Sequence, residues 1–132
     1  MINKSTEING NDFFQAIVSG ISNIIVRHEH LNKINVFPVP DGDTGTNLLF
    51  TLRPIAQIKK NEVDKHFGKT LSLIANTAID SARGNSGTII AQYFIGMLEN
   101  SEEFDALNTE NISKIFSDGF TAASSAMSDP KE

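Results

Sequence analysis

Apolar side chains recur three and four residues apart along most of this chain, and that spacing constrains the fold more than any other feature. A helix buries one face this way, whereas a half-buried strand alternates. From about Asn9, Phe13, Phe14, Ile17, Ile21, Ile24 and Ile25 define a first helix. Leu48, Leu49 and Leu52 define a second, starting near Thr46, which Pro54 kinks or ends. Phe67, Leu71, Ile74, Ala75 and Ala78 mark a third that finishes near Ser81, and Ile89, Ile90, Tyr93, Phe94 and Met97 mark a fourth. Ile112, Ile115, Phe116, Phe120 and Ala123 form a fifth, with Thr109 as its N-cap. The run AASSA, Ala122 to Ala126, predicts close helix contact through small side chains. The one strand-like segment, Ile34 to Pro40, lacks two backbone donors at Pro38 and Pro40 and reads as an extended lead-in. Five helical patterns and no convincing strand predict an all-α bundle with antiparallel neighbours joined by modest loops.

At 132 residues the chain suffices for one domain with a core, here residues 9–132, preceded by a polar, loose terminus over residues 1–8. It contains no cysteine, which excludes disulfides and thiolate metal sites and favours a cytoplasmic setting. No apolar run approaches a membrane span, and the opening MINKSTEING lacks the apolar stretch of a signal peptide. A net charge of −5 with no basic block argues against nucleic acid as a partner. His28 and His30 alternate, share no helical face, and read as solvated helix-end residues.

The chemistry concentrates in PVPDGDTGTN, Pro38 to Asn47. In extended backbone, residues two apart project to one side about 6.6 Å from each other, so Asp41 and Asp43 can face one ligand. At that spacing and an effective dielectric of about 20 they repel by roughly 2.5 kcal/mol. A hard divalent cation removes the cost, and carboxylates plus phosphates suit Mg2+ better than zinc. Thr44, Thr46 and Asn47 supply small polar groups where a helix begins, and helix starts offer free N–H groups to anions. An ordinary tight turn with an N-cap would use the same residues. A calcium-binding helix-loop-helix motif is excluded, because its twelfth position falls on Leu52 or Pro54 and not on a glutamate. An aspartyl-phosphate enzyme also pairs two aspartates at this spacing, but it needs a parallel sheet behind the loop.

A second run, SARGNSGTII, Ser81 to Ile90, places Gly84 and Gly87 around Asn85 and Ser86 directly before a helical pattern. A glycine-containing turn feeding a helix can wrap a phosphate with N–H groups and the Ser86 hydroxyl, with Arg83 adding charge. The plainer alternative is a C-cap glycine, a turn and a new N-cap. One acidic and one glycine-rich helix start in so short a chain favour the phosphate reading.

NVFPVPDGDTGTN, followed some forty residues later by ARGNSG and an aliphatic helix, resembles the nucleotide-binding domain of the dihydroxyacetone kinase L-subunit (DhaL) family, and within it most closely the N-terminal domain of bacterial fatty acid kinases. The resemblance runs from about Ile8 to Glu132. It implies an antiparallel eight-helix barrel, of which this chain carries about the first five helices, holding ATP or ADP through two Mg2+ ions. Asp41 and Asp43 would be the metal ligands at the catalytic position. Asn35 stands near the place of a third ligand, with a spacing that differs by one. Thr44, Thr46 and Asn47 would border metal and phosphates, and Gly84, Asn85, Ser86 and Gly87 would line the phosphate loop.

The same resemblance implies an acceptor such as a fatty acid presented by a DegV-like lipid-binding protein, or a dihydroxyacetone-like molecule. The chain stops at DPKE, Asp129 to Glu132, ahead of the family's Pro-x-Glu-Gly-Thr segment. A truncated barrel is expected from this, with an apolar face open to self-association. The leading expectation is therefore the nucleotide-binding portion of a kinase. An aspartyl-phosphate phosphatase of the haloacid dehalogenase type and a non-catalytic nucleotide-binding module are the alternatives.

Overall fold

The computed structural model describes residues 6–36 and 40–127. Within them the five expected helices are present as α1 (Gly10–Val26), α3 (Thr44–Ala56), α4 (Phe67–Ser81), α5 (Gly84–Glu99) and α6 (Ile112–Ser125). A short sixth, α2 (His28–Lys33), splits off after α1 at Arg27. The fold is all-α. Among the described residues its only sheet is an antiparallel pair of two-residue strands, β1 (Glu7–Ile8) and β2 (Leu107–Asn108). That removes the phosphatase alternative, which depends on a parallel sheet.

Local chemistry sets the helix ends. Asn9 and Asp12 form a reciprocal capping box at the start of α1, Asn9 Oδ1 accepting the Asp12 N–H at 2.9 Å. At α4, His66 Nδ1 accepts the Lys69 N–H, while the N–H groups of Phe67 and Gly68 donate to the carbonyls of Asp105 and Phe104. Pro54 lies in the last turn of α3, which ends two residues later. At α6 the expected cap, Thr109, is displaced. Asn108 Oδ1 accepts the N–H groups of Glu110 and Asn111, Asn111 Oδ1 accepts that of Asn108, and the helix starts only at Ile112. This reciprocal asparagine turn consumes the donors that a threonine cap would have served.

The core lies on α4. Phe67, Leu71, Ile74, Ala75 and Ala78, predicted as one face, are all fully buried, and α1, α3 and α5 pack around them. Ile55 from α3 is equally enclosed, and the Phe13 ring meets Phe67 edge-on with centroids 5.0 Å apart. Helix α6 packs on α5 through small residues, as the AASSA run suggested. A side chain at Gly96 would run into Ala122 and Gly119, and one at Gly119 would run into Tyr93 and Met97. Tyr93 ties the pair by donating its hydroxyl to the Phe116 carbonyl. On the outer side of α6, Phe116 and Phe120 are exposed.

Two expectations about the ends and connections change. Glu7 and Ile8, taken as loose terminus, pair with Asn108 and Leu107, and Leu107 is buried as a result. Strands of two residues are too short for alternation to register. In the Ile34 to Pro40 lead-in, residues 37–39 lie outside the described residues, and Asn35 and Val36 belong to no strand. No helix among the described residues is long and apolar enough to cross a membrane.

Replacing Phe67 with Ala should cost about 3–5 kcal/mol, the usual range for removing a buried aromatic ring. Urea unfolding of the two proteins followed by circular dichroism measures this directly.

Candidate functional site

Helix α3 begins two residues earlier than the sequence suggests, and the reason lies in α2. Asp43 occupies the N-cap position, yet its side chain makes no capping bond. Asparagines from α2 and its end cap α3 in its place. Asn35 Oδ1 accepts the N–H groups of Asp43 at 3.0 Å and Thr44 at 3.1 Å. Asn32 Oδ1 accepts the Thr46 N–H at 3.0 Å, and Asn32 Nδ2 donates to Thr46 Oγ1 at 2.9 Å. A side chain at Gly45 would strike the His28 carbonyl, so α2 lies directly on the first turn of α3. Gly42 takes the left-handed conformation, φ 65°, that turns the chain between the two aspartates.

The N–H groups of Asp43, Thr44 and Thr46 are thus satisfied from outside α3, and among the described residues neither carboxylate joins that network. Asp43 is half-buried and Asp41 exposed. Asn35 belongs to the same network, its Oδ1 receiving two main-chain donors on the two lone pairs of an amide oxygen. Thr46 Oγ1 accepts from Asn32 and keeps its own proton for donation. His28, read as a solvated helix-end residue, is half-buried with Nδ1 2.7 Å from the Ile25 carbonyl, and His30 is exposed.

The glycine-rich run differs in form from its prediction. Gly84, Asn85, Ser86 and Gly87 are not a loop ahead of a helix but the first turn of α5 itself, with Gly84 at φ 71°. The N-cap residue Arg83 makes no side-chain capping bond, and among the described residues no other side chain bonds this first turn. The first-turn N–H groups of an α-helix have no intrahelical acceptor, so α5 presents donors where α3 has its own satisfied. The hydroxyl of Ser86 is buried and has no hydrogen-bond partner among the described residues. Asn85 is exposed.

The two helix starts are in contact. Asn47, almost fully buried, lies against Gly84, where any side chain would overlap its amide, and Gly87 lies against the Thr51 hydroxyl. Thr51 Oγ1 donates to the Asn47 carbonyl at 2.8 Å and accepts the Arg83 N–H at 3.1 Å. Arg83 turns its guanidinium over the Phe50 ring, 4.2 Å from the centroid, which holds a cation at the edge of α5's first turn. Asn32 and Thr51 were not singled out from sequence. Thr51 left a trace there, because it is a polar residue one helical turn before Ile55 on the buried stripe of α3.

Two shallow clefts of about 500 and 530 Å3 open elsewhere, beside His66 and Asp105 and beside Asn100 and Asp118. Neither includes a residue of the two helix starts. Among the described residues no three His, Cys, Asp or Glu side chains gather to cage a metal. Asp41 and Asp43, at the start of α3, nevertheless supply the oxygen ligands that suit magnesium, which keeps several waters and takes its remaining oxygens from phosphates.

The chain is an all-helical domain in which an acidic helix start is seated on a glycine-rich one, and comparison with known proteins identifies its class. Residues 38–132 match the DAK2 domain, and the chain belongs to that family of DhaL-like, ADP- and ATP-binding kinase-subunit modules. It is also 33% identical over 127 residues to uncharacterized proteins of Staphylococcus aureus, among them those of strains USA300, NCTC 8325 and COL. Each match covers 96% of this chain, which spans 23% of the length of the relatives.

The glycines yield a paired test. Gly84→Ala combines a left-handed backbone with a clash against Asn47 and should destabilise by about 1–3 kcal/mol. Gly20→Ala, in α1 with nothing within 4 Å of the added carbon, should stabilise by about 0.5–1 kcal/mol. Chemical denaturation of the two variants beside the parent reads both signs.

Proposed function

We propose that this chain supplies the magnesium–nucleotide site of an ATP-dependent kinase that transfers phosphoryl to a small acceptor. The observation that carries this reading is Ser86 Oγ, a buried hydroxyl without a partner among the described residues in the first turn of α5. Leaving such a group unsatisfied costs about 1–3 kcal/mol, and a phosphate oxygen seated on the helix start would satisfy it. Asp41 and Asp43 would hold magnesium, which when bound supplies neutralisation of phosphate-oxygen charge. Thr44, Thr46 and Asn47 border that position. Gly84, Asn85, Ser86 and Gly87 would present main-chain donors to the phosphates, the two glycines adding no side-chain bulk. The chain's own contribution is orientation and preorganised charge. No covalent nucleophile is required.

For the acceptor we favour a fatty acid carboxylate held by a DegV-like lipid-binding partner in the cytoplasm, on the likeness of NVFPVPDGDTGTN and ARGNSG to the fatty acid kinases. A dihydroxyacetone-like acceptor would use the same nucleotide site.

Titration calorimetry tests the proposal. Mg-ADP should bind the parent chain, and Asp43→Asn, which keeps a good N-cap residue, should weaken it at least tenfold, or about 1.4 kcal/mol. Ser86→Ala should weaken binding about ten- to a hundredfold through loss of one hydrogen bond to a charged group. Chelating magnesium with EDTA should erase the difference between parent and Asp43→Asn. A parent chain whose melting temperature ignores millimolar Mg-ADP would overturn the reading. Binding with no phosphoryl transfer to any acceptor would favour a non-catalytic nucleotide-binding module.

A further inference from the structure

We propose that Thr51 is a positioning residue whose single hydroxyl fixes the glycine-rich start of α5 against the acidic start of α3. Its importance for nucleotide binding rests on the site proposed above.

Thr51 is fully buried and lies eight residues, a little over two turns, beyond Asp43. A threonine hydroxyl has one proton and two lone pairs. The proton goes to the Asn47 carbonyl, within α3, and one lone pair receives the N–H of Arg83, the residue just before α5. One oxygen therefore joins the helix that carries the aspartates to the last peptide before the helix that carries Ser86. The surrounding residues leave it little freedom. Gly87 approaches the hydroxyl so closely that an added side chain would displace it, and Asn47, whose carbonyl the hydroxyl grips, packs its amide against Gly84. Arg83, anchored through its N–H, rests its guanidinium on Phe50, the neighbour of Thr51. Removing the oxygen while keeping the shape deprives the part-buried Arg83 N–H of its acceptor, leaves the Asn47 carbonyl only its intrahelical bond, and frees the segment that places Ser86.

A merely structural threonine would not have this effect, and the chain contains a matched control. Thr70 in α4 is also fully buried, and its hydroxyl donates to the Asp64 carbonyl and accepts the Asp64 N–H. It bonds within its own neighbourhood, away from α5.

The experiment compares Thr51→Val, Thr51→Ser and Thr70→Val in the full chain. The readouts are melting temperature, Mg-ADP affinity by calorimetry, and amide hydrogen exchange from Arg83 to Thr88. Thr51→Val should lose about tenfold in Mg-ADP affinity and about tenfold in protection of the Arg83 amide. Thr51→Ser should stay within about twofold of the parent on both. Thr70→Val should melt lower yet bind as the parent does. Should Thr51→Val not fold, Thr51→Cys, a weak donor and acceptor, should fall between parent and complete loss.

Three results would overturn the proposal: unchanged Arg83 protection in Thr51→Val, equal loss of affinity in the two valine variants, or no rescue by serine. If the parent chain binds no Mg-ADP, the nucleotide reading fails by itself. The exchange of the Arg83 amide then still decides the role of Thr51.

Discussion

The site depends on how one helix satisfies its leading N–H groups. An aspartate at the N-cap position ordinarily folds its carboxylate back onto the first turn, and a carboxylate so engaged is less able to hold a cation. In α3 that work is done by Asn32 and Asn35, which accept three main-chain N–H groups across the α2–α3 contact. The acids stand at a helix start without serving as its cap. A neutral amide does the capping and leaves the charge available, which is the arrangement a metal site needs.

Helix α5 shows the opposite condition among the described residues, with no capping side chain and a buried serine hydroxyl that lacks a partner. The pairing is complementary: a start that is satisfied and carries negative charge lies against a start that is unsatisfied and carries donors. Phosphate bridged by a hard cation matches both at once. Glycines at 84 and 87 permit the contact, since any side chain there would separate the helices at Asn47 and Thr51. Glycine in this motif thus serves helix approach as well as access to main-chain donors.

Much of this was legible in the residues. The buried face of α4 could be read residue by residue, because burial of one stripe is a local, periodic property of the chain. The two polar runs could be found because aspartates flanking a glycine and an Arg-Gly-Asn-Ser-Gly run are conspicuous in an otherwise helical pattern. The starts of α3 and α6 could not. Both are set by asparagine side chains bonding across a turn or from another helix, and asparagine is compatible with turn, cap and helix alike.

By itself, then, the sequence determined that the chain is helical, which face of α4 is buried, and where its acids and glycines stand. Tertiary structure alone decided what those residues do. It made Asn35 a loop anchor, turned the glycine run into the first turn of a helix, tied Glu7 and Ile8 to a distant strand, and gave Thr51 a partner 32 residues away. The physical reason is range. Periodic burial is written into neighbouring residues, whereas the partner of a hydrogen-bonding side chain is fixed only when distant segments pack against it.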